Sequence, residues 1–263
     1  SLMMGGGAAG SLAMAMRAGA GAGGQSGLVS PQERMHRQKM QSNAFFAWIN
    51  YHLSKRQMKV ASLEEAFTDG VSLLHLLEIV SCYQLPRFDP QPKVLLQKLD
   101  NLNIALKFIS DSRIRVLGCG AEDLLDGNKK LMLSLIWQLV LTSSLGVWDS
   151  QPERTKKKSM IEWIKKNTGS RQVDVSKWGE SFKDGKIFLA LLENMAKADI
   201  SSAMAISSDK ERLAAALKLS EDKLGIPSTA LDAEDMHKND WASDDRSIFA
   251  YLCISYEYLS YAA

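Results

Sequence analysis

The sequence predicts an all-α protein made of two copies of one domain. Three observations predict it: a long-period repeat, apolar residues at helical spacing in both halves, and no sustained β alternation. Trp48 lies 22 residues before Gly70, and Trp163 lies 22 residues before Gly185. Phe67, Asp69, Gly70, Leu74, Leu77 and Glu78 recur as Phe182, Asp184, Gly185, Leu189, Leu192 and Glu193, each 115 residues on. Ala105-Leu106-Lys107 returns as Ala216-Leu217-Lys218 at an offset of 111, so the second copy has lost four residues in between.

The elements follow in order. Phe45, Trp48, Ile49, His52 and Leu53 share one face and predict the first helix. Trp48 and its counterpart Trp163 are expected in the cores of their first helices. Val71 to Val80 predicts a second helix. Asp69 stands where it can cap free amides, and Gly70 where an unusual backbone conformation is needed. Prolines 86, 90 and 92 predict an irregular connection. Leu99 to Ile109 predicts a third helix. Leu131, Leu135, Ile136, Leu139 and Val140 line a fourth, apolar on most sides and therefore central. In the second copy, helices are expected near 158–167, 186–197, 209–224 and 245–260. Each domain is thus a four-helix core with short extra helices.

The expected boundaries are a flexible Gly/Ala-rich tail over 1–31, domain 1 over 32–143, a linker over 144–157 and domain 2 over 158–263. Trp148, inside the linker, is expected to pack on a domain, because an exposed Trp wastes a large apolar side chain.

Composition narrows the class. With 46% hydrophobic and 24% charged residues the chain is an ordinary globular one. The longest apolar stretch, Leu131 to Leu141, is about half what a bilayer requires, so no transmembrane segment is expected. Glycines interrupt any signal-peptide core near the N-terminus. Cys82, Cys119 and Cys253 are far apart and lack CxxC spacing. They read as buried, inert thiols in a reducing, cytoplasmic compartment.

Catalytic constellations are lacking. The four histidines, His36, His52, His75 and His237, form no HExxH pair. No GxSxG occurs, and Gly118-Cys119-Gly120 lacks a third glycine. The acidic stretch from Asp232 to Asp245 has neither the alternating ligands nor the central Gly of an EF-hand and reads as a solvated face. No enzyme activity, cofactor or metal is expected.

Charge is uneven although the net is only +2. Residues 33–59 hold Arg34, Arg37, Lys39, Lys55, Arg56 and Lys59 against Glu33. Residues 153–171 hold Arg154, Lys156, Lys157, Lys158, Lys165, Lys166 and Arg171 against Glu153 and Glu162. Residues 232–257 hold seven acids against Lys238 and Arg246. The basic patches suit an acidic partner. Nucleic acid is not expected, because exposed aromatics are not interleaved and the pI of 8.3 is modest.

The repeat resembles the tandem calponin-homology arrangement of α-actinin, filamin, spectrin and fimbrin. QSNAFFAWIN, Gln41 to Asn50, is similar to the first-helix signature of that actin-binding region. LLDGNKKLMLSLIWQLVL, Leu124 to Leu141, is similar to the last-helix signature of its first domain, and LDAEDM, Leu231 to Met236, to a stretch of α-actinin. The connection around FDPQPKVLLQKLDNL resembles filamin. The likeness covers about residues 32–261.

That resemblance implies a non-catalytic F-actin-binding module of a longer crosslinking protein, dimeric through regions outside these residues. It implies filament contacts in domain 1. These are Arg34, Arg37 and Lys39 in a segment before the first helix; Ser72 after the Asp-Gly pair, where some filamins carry Arg; and Arg113, Arg115, Lys129 and Lys130 around the last helix. It implies that domain 2 regulates access. It also implies a phosphoinositide (PIP2) site at Lys156, Lys157, Lys158, Lys165, Lys166 and Arg171. The rival classes are a membrane-surface adaptor built on that cluster and a microtubule-binding calponin-homology protein.

Overall fold

A computed structural model describes residues 30–116, 118–237 and 244–261. The expected tail lies outside the described residues, apart from its last two positions. The helices of the first copy are α1 (Pro31–Ser54), α2 (Val71–Ser81), α3 (Leu95–Asp111), α4 (Ala121–Leu125) and α5 (Lys129–Thr142). The second copy has α6 (Glu153–Asn167), α7 (Lys186–Ala196), α8 (Ser201–Met204), α9 (Asp209–Leu224), α10 (Ala233–His237) and α11 (Asp245–Tyr261). Among the described residues there is no strand.

Helix α1 begins well before the periodic stretch that predicted it. Ser30 Oγ accepts from the Glu33 amide at 3.1 Å, and Glu33 reaches back to the Ser30 amide. That reciprocal cap, with Pro31 at the first helical position, fixes the start. Arg34, Arg37 and Lys39 therefore lie inside the helix, not in a segment before it. Helix α6 likewise starts at Glu153, so Lys156 and Lys157 are helical and the connection between copies is shorter than expected.

In each copy the second helix opens on a glycine in the left-handed region: Gly70 at φ 78° and Gly185 at φ 73°. A Cβ on Gly70 would sit 2.7 Å from Asn101 Cβ, and one on Gly185 would sit 2.8 Å from Leu213 Cα. These glycines let the second helix start directly against the third. Asp69 Oδ1 accepts from the Val71 amide at 2.9 Å, and Asp184 Oδ1 from the Lys186 amide at 3.0 Å. Each Asp thus caps, as expected, one residue before the glycine.

The cores follow the predicted faces. Phe45, Trp48, Ile49, Leu74, Leu77, Leu102, Leu135, Ile136 and Leu139 are buried in the first copy. In the second, Phe182, Phe188, Leu189, Leu213 and Tyr251 are buried. Three expectations are corrected. Trp163 is only half-buried, edge-on to Tyr256 with centroids 5.4 Å apart. Cys82 is exposed and Cys119 half-exposed, so only Cys253 is a buried thiol. The acidic stretch is not a plain solvated face: Asp232 caps α10, Asp244 caps α11, and Asp235 is buried. Trp148 does pack on a domain, stacked on Phe108 of α3 at 5.9 Å.

Gly70→Ala should destabilise the protein by about 2–4 kcal/mol, since it combines left-handed strain with overlap against α3. Urea unfolding monitored by tryptophan fluorescence should show Gly185→Ala losing a similar amount.

Candidate functional site

Two surfaces matter: the contact between the copies and the basic face of the first. Helix α1 lies along α11, and α5 also touches α11. Phe45 stacks on Trp137, and Trp137 meets Phe249 of α11 edge-on with centroids 5.7 Å apart. Arg246 lies over the Trp137 ring, 5.2 Å from its centroid. Tyr51 packs on Tyr258 at 4.9 Å. Trp137 and Phe249 are both buried, so the two cores run together here.

Polar groups frame these rings. Lys39 donates to Asp235 Oδ2 at 2.8 Å, which raises the lysine's pKa. His36 Nε2 lies 3.1 Å from the Asp235 carbonyl oxygen. Gln41 donates to Asp244 Oδ1 at 2.8 Å. Lys55 pairs with Glu257. Exposed ion pairs contribute about 0–1 kcal/mol, whereas burying an aromatic side chain contributes about 1.5–3. The rings therefore hold the copies together, and the polar pairs set their register.

The expected filament residues divide accordingly. Lys39 is committed to Asp235 across the contact. Arg34 is exposed, and Arg37 is half-buried with its Nε buried and without a hydrogen-bond partner. Ser72 is half-buried at the start of α2. Lys129 pairs with Glu64 at 2.7 Å, a bond that holds the Glu64 carboxyl below its ordinary pKa. Lys130, Arg113 and Arg115 are exposed, and among the described residues none of them pairs with an acid. A feature the sequence reading missed is the exposed apolar step Val94, Leu95 and Leu96 at the start of α3.

The expected phosphoinositide cluster does not hold together as a set. Lys156 is 4% exposed and pairs with Asp149 at 2.7 Å, so it is structural. Burial pulls the Lys157 pKa down, but hydrogen bonds to Glu153 and Asp245 outweigh it and the net shift is upward. Arg171 binds both oxygens of Glu193. Lys158 is exposed, 3.8 Å from Glu162. Lys165 and Lys166 stand exposed on α6, with no acid at ion-pair distance among the described residues.

Among the described residues no group of three or more His, Cys, Asp or Glu is placed to hold a metal. No helix among them is long and apolar enough to cross a membrane. The Cys119 thiol is pushed up to about 11 by burial, and Cys253 higher still, so neither is an activated nucleophile.

Comparison with known proteins agrees with this architecture. The model of the calponin homology (CH) domain matches twice, at residues 39–144 and 154–259. Cortexillin-2 of Heterostelium pallidum is 33% identical over 82% of this chain and 49% of its own length. Sarcomeric alpha-actinin of Drosophila melanogaster is 34% identical over 83% of this chain and 24% of its own length. The chain thus spans half or less of these relatives. The actin-crosslinking core of Schizosaccharomyces pombe fimbrin superposes with a TM-score of 0.56 at 15% identity, covering 84% of this chain and 48% of that one, a likeness of fold alone.

One residue at the contact gives the fold a pH dependence. His52 is 2% exposed, with Nε2 3.6 Å from Glu257 Oε1 and no hydrogen-bond partner there. Trp48 and Tyr51 pack on its ring, and Lys55 stands beside it. Burial, with Lys55 adding repulsion, holds its pKa well below the ordinary 6.5. The folded, packed form therefore keeps His52 neutral, and the unfolded chain binds the proton more tightly. Stability from this residue is full above pH 6.5 and declines as pH falls below it, by at most about 1.4 kcal/mol per pH unit. His52→Gln should flatten that acid limb in urea unfolding measured across a pH series.

Proposed function

The chain belongs to the calponin-homology family, and on that premise we propose that it is a non-catalytic F-actin-binding module of a cytoskeletal crosslinking protein, working in the cytoplasm. The observation that carries the reading is the pair of calponin homology matches in tandem, in a chain whose relatives include alpha-actinin.

Domain 1, over residues 32–143, makes the main filament contact. Lys130, Arg113 and Arg115 supply exposed positive charge to an acidic filament. Val94, Leu95 and Leu96 supply apolar area of the kind that marks protein contacts. Lys39, exposed but held by Asp235, is released from that partner when α1 separates from domain 2. Domain 2, after the linker, thereby regulates: packed, it covers α1; parted, it releases it. PIP2 binding is a second element of this reading, now resting on Lys158, Lys165 and Lys166. Dimerisation, where it occurs, belongs to regions beyond these residues.

High-speed co-sedimentation with F-actin and, separately, with microtubules tests the reading. Pelleting with actin alone is expected, weakened by Lys130→Ala and by added salt. Pelleting with microtubules alone would overturn it. Tyr258→Ala removes a domain 2 side chain that touches Tyr51, so it should raise actin affinity by shifting the population toward the parted form. Wild-type affinity in that variant would remove the gating idea and leave the actin reading intact.

A further inference from the structure

We propose that a cavity between the copies is a site of reversible thiol modification, in which Cys82 forms a mixed disulfide with a small zwitterionic thiol of the glutathione class. The cavity holds about 480 Å³. Helix α1 contributes Tyr51, His52 and Lys55 to its wall, the end of α2 contributes Cys82, and α11 contributes Glu257 and Tyr258. Cys82 is exposed, so a dissolved disulfide can reach it. The other two thiols are poorer targets: Cys253 is buried, and burial pushes the half-exposed Cys119 up to about 11.

A second observation at the same cavity points to a ligand. His52 lines it, is buried, and its Nε2 has no hydrogen-bond partner in the protein. The tautomer of the ring follows from its neighbours. Lys55 can only donate, and its Nζ lies 3.4 Å from Nδ1, so Nδ1 accepts and Nε2 carries the proton. Glu257 Oε1, at 3.6 Å, is too far to accept from it. A buried N–H facing a cavity calls for an acceptor there. Lys55 and Glu257 add one charge of each sign to the wall and pair with each other. A glutathione-class thiol carries carboxylates, an ammonium and amide carbonyls. It therefore offers an acceptor to His52 and a partner to each charge.

The internal repeat shows that the thiol is not needed to end its helix. Helices α2 and α7 both end on a left-handed residue, Cys82 at φ 59° and Lys197 at φ 52°, 115 positions apart. In the second copy Lys197 Nζ donates to the Asn194 carbonyl at 2.6 Å, a side-chain cap for the last turn. Ile79 is the counterpart of Asn194 at the same offset. Cys82 Sγ reaches the Ile79 carbonyl only at 3.9 Å, and a thiol is a weak donor. The side chain is thus left for chemistry. The Cys82 thiolate attacks one sulfur of the oxidised small disulfide. A new S–S bond forms to Cys82, the original S–S bond breaks, and the leaving thiolate takes up the proton that Cys82 released. A reduced small thiol reverses the step. The attached group touches both copies, so the contact between them registers the redox state of the small thiols around it.

Redox titration of the full chain against glutathione and, separately, against mercaptoethanol tests the site, with adducts assigned by peptide mass spectrometry. Mercaptoethanol has the thiol but none of the charges. Each equilibrium is measured on the native chain and on the chain unfolded in urea, so the intrinsic difference between the two thiols cancels. Relative to the unfolded chain, native Cys82 is expected to favour the glutathione adduct over the mercaptoethanol adduct by about three- to tenfold, the scale of one net hydrogen bond. That preference should vanish in Lys55→Gln combined with Glu257→Gln, which removes both charges and spares the rings of the core. Moving the thiol to the equivalent helix end, by Lys197→Cys in a Cys82→Ser chain, should also give no preference. That control separates the cavity from mere exposure at a helix end. No preference at Cys82 would overturn the proposal, as would an equal one at position 197 or an undiminished one without the two charges. Modification of Cys119 or Cys253 ahead of Cys82 in the native chain would overturn it as well. These readouts use no actin, so they stand or fall apart from the filament reading.

Discussion

Both copies depend on one close approach. The backbone at Gly70 and at Gly185 lies so near the third helix of its domain that no side chain fits. This contact sets the distance between the second and third helices, and with it the shape of the core between them. A buried polar side chain completes it. Asn101 donates to the Asp69 carbonyl at 3.2 Å, and Arg212 donates to the Asp184 carbonyl at 2.8 Å. These two residues are 111 apart, so they hold the same place in the repeat. Each also ties down the loop before its helix: Asn101 through both backbone groups of Asp89, Arg212 through the Ile206 carbonyl. The chemistry changed from amide to guanidinium while the task stayed the same. A carbonyl that an approaching helix cuts off from water must be given a donor.

The contact between the copies rests on a different balance. Its polar pairs sit at the margin, where Lys39 is largely exposed and only Asp235 is buried. The asymmetry matters, because a buried carboxylate that loses its lysine retains its desolvation cost. Two buried ionisable groups, Asp235 and His52, thus lie at the contact beside the apolar rings of Trp137 and Phe249. His52, beside Glu257 at this contact, makes the stability of the fold sensitive to protons.

Much of the fold was legible in the sequence, for physical reasons. The repeat and the apolar periods are local signals, and the second and fourth helices of the first copy fell where the period placed them. Helix starts were less legible where a cap, not a hydrophobic stripe, decides them. The Ser30–Glu33 pair was readable as S-x-x-E and would have moved the start of α1 back to Pro31. Helices α4, α8 and α10 are too short to show a period. The contact between copies was not legible, since Lys39–Asp235 and Tyr51–Tyr258 join residues some two hundred positions apart with no local signature. The lysine cluster misled for a geometric reason. Successive helical residues turn by about 100°. Lys156 therefore points inward to Asp149, Lys157 sideways to Asp245, and Lys158 to solvent.

Duplication explains why the two domains differ where they do. Positions that fix the scaffold, such as Gly70 and Gly185, stayed the same because any change collides with backbone. Positions at helix ends are only penalised, so they could diverge. The end of the third helix is the clearest case: α3 turns on Arg113 at φ 60°, whereas α9, with Leu224 at the equivalent position, runs further and ends on Gly225 at φ 67°. The last helices diverged as well. Helix α5 carries Lys129 and Lys130 in its first turn, against the dipole, whereas α11 begins with Asp245, with it. Basic groups at a helix start are held at a small local cost. The arginine at the α3 turn, at a positive φ, is another such placement in domain 1.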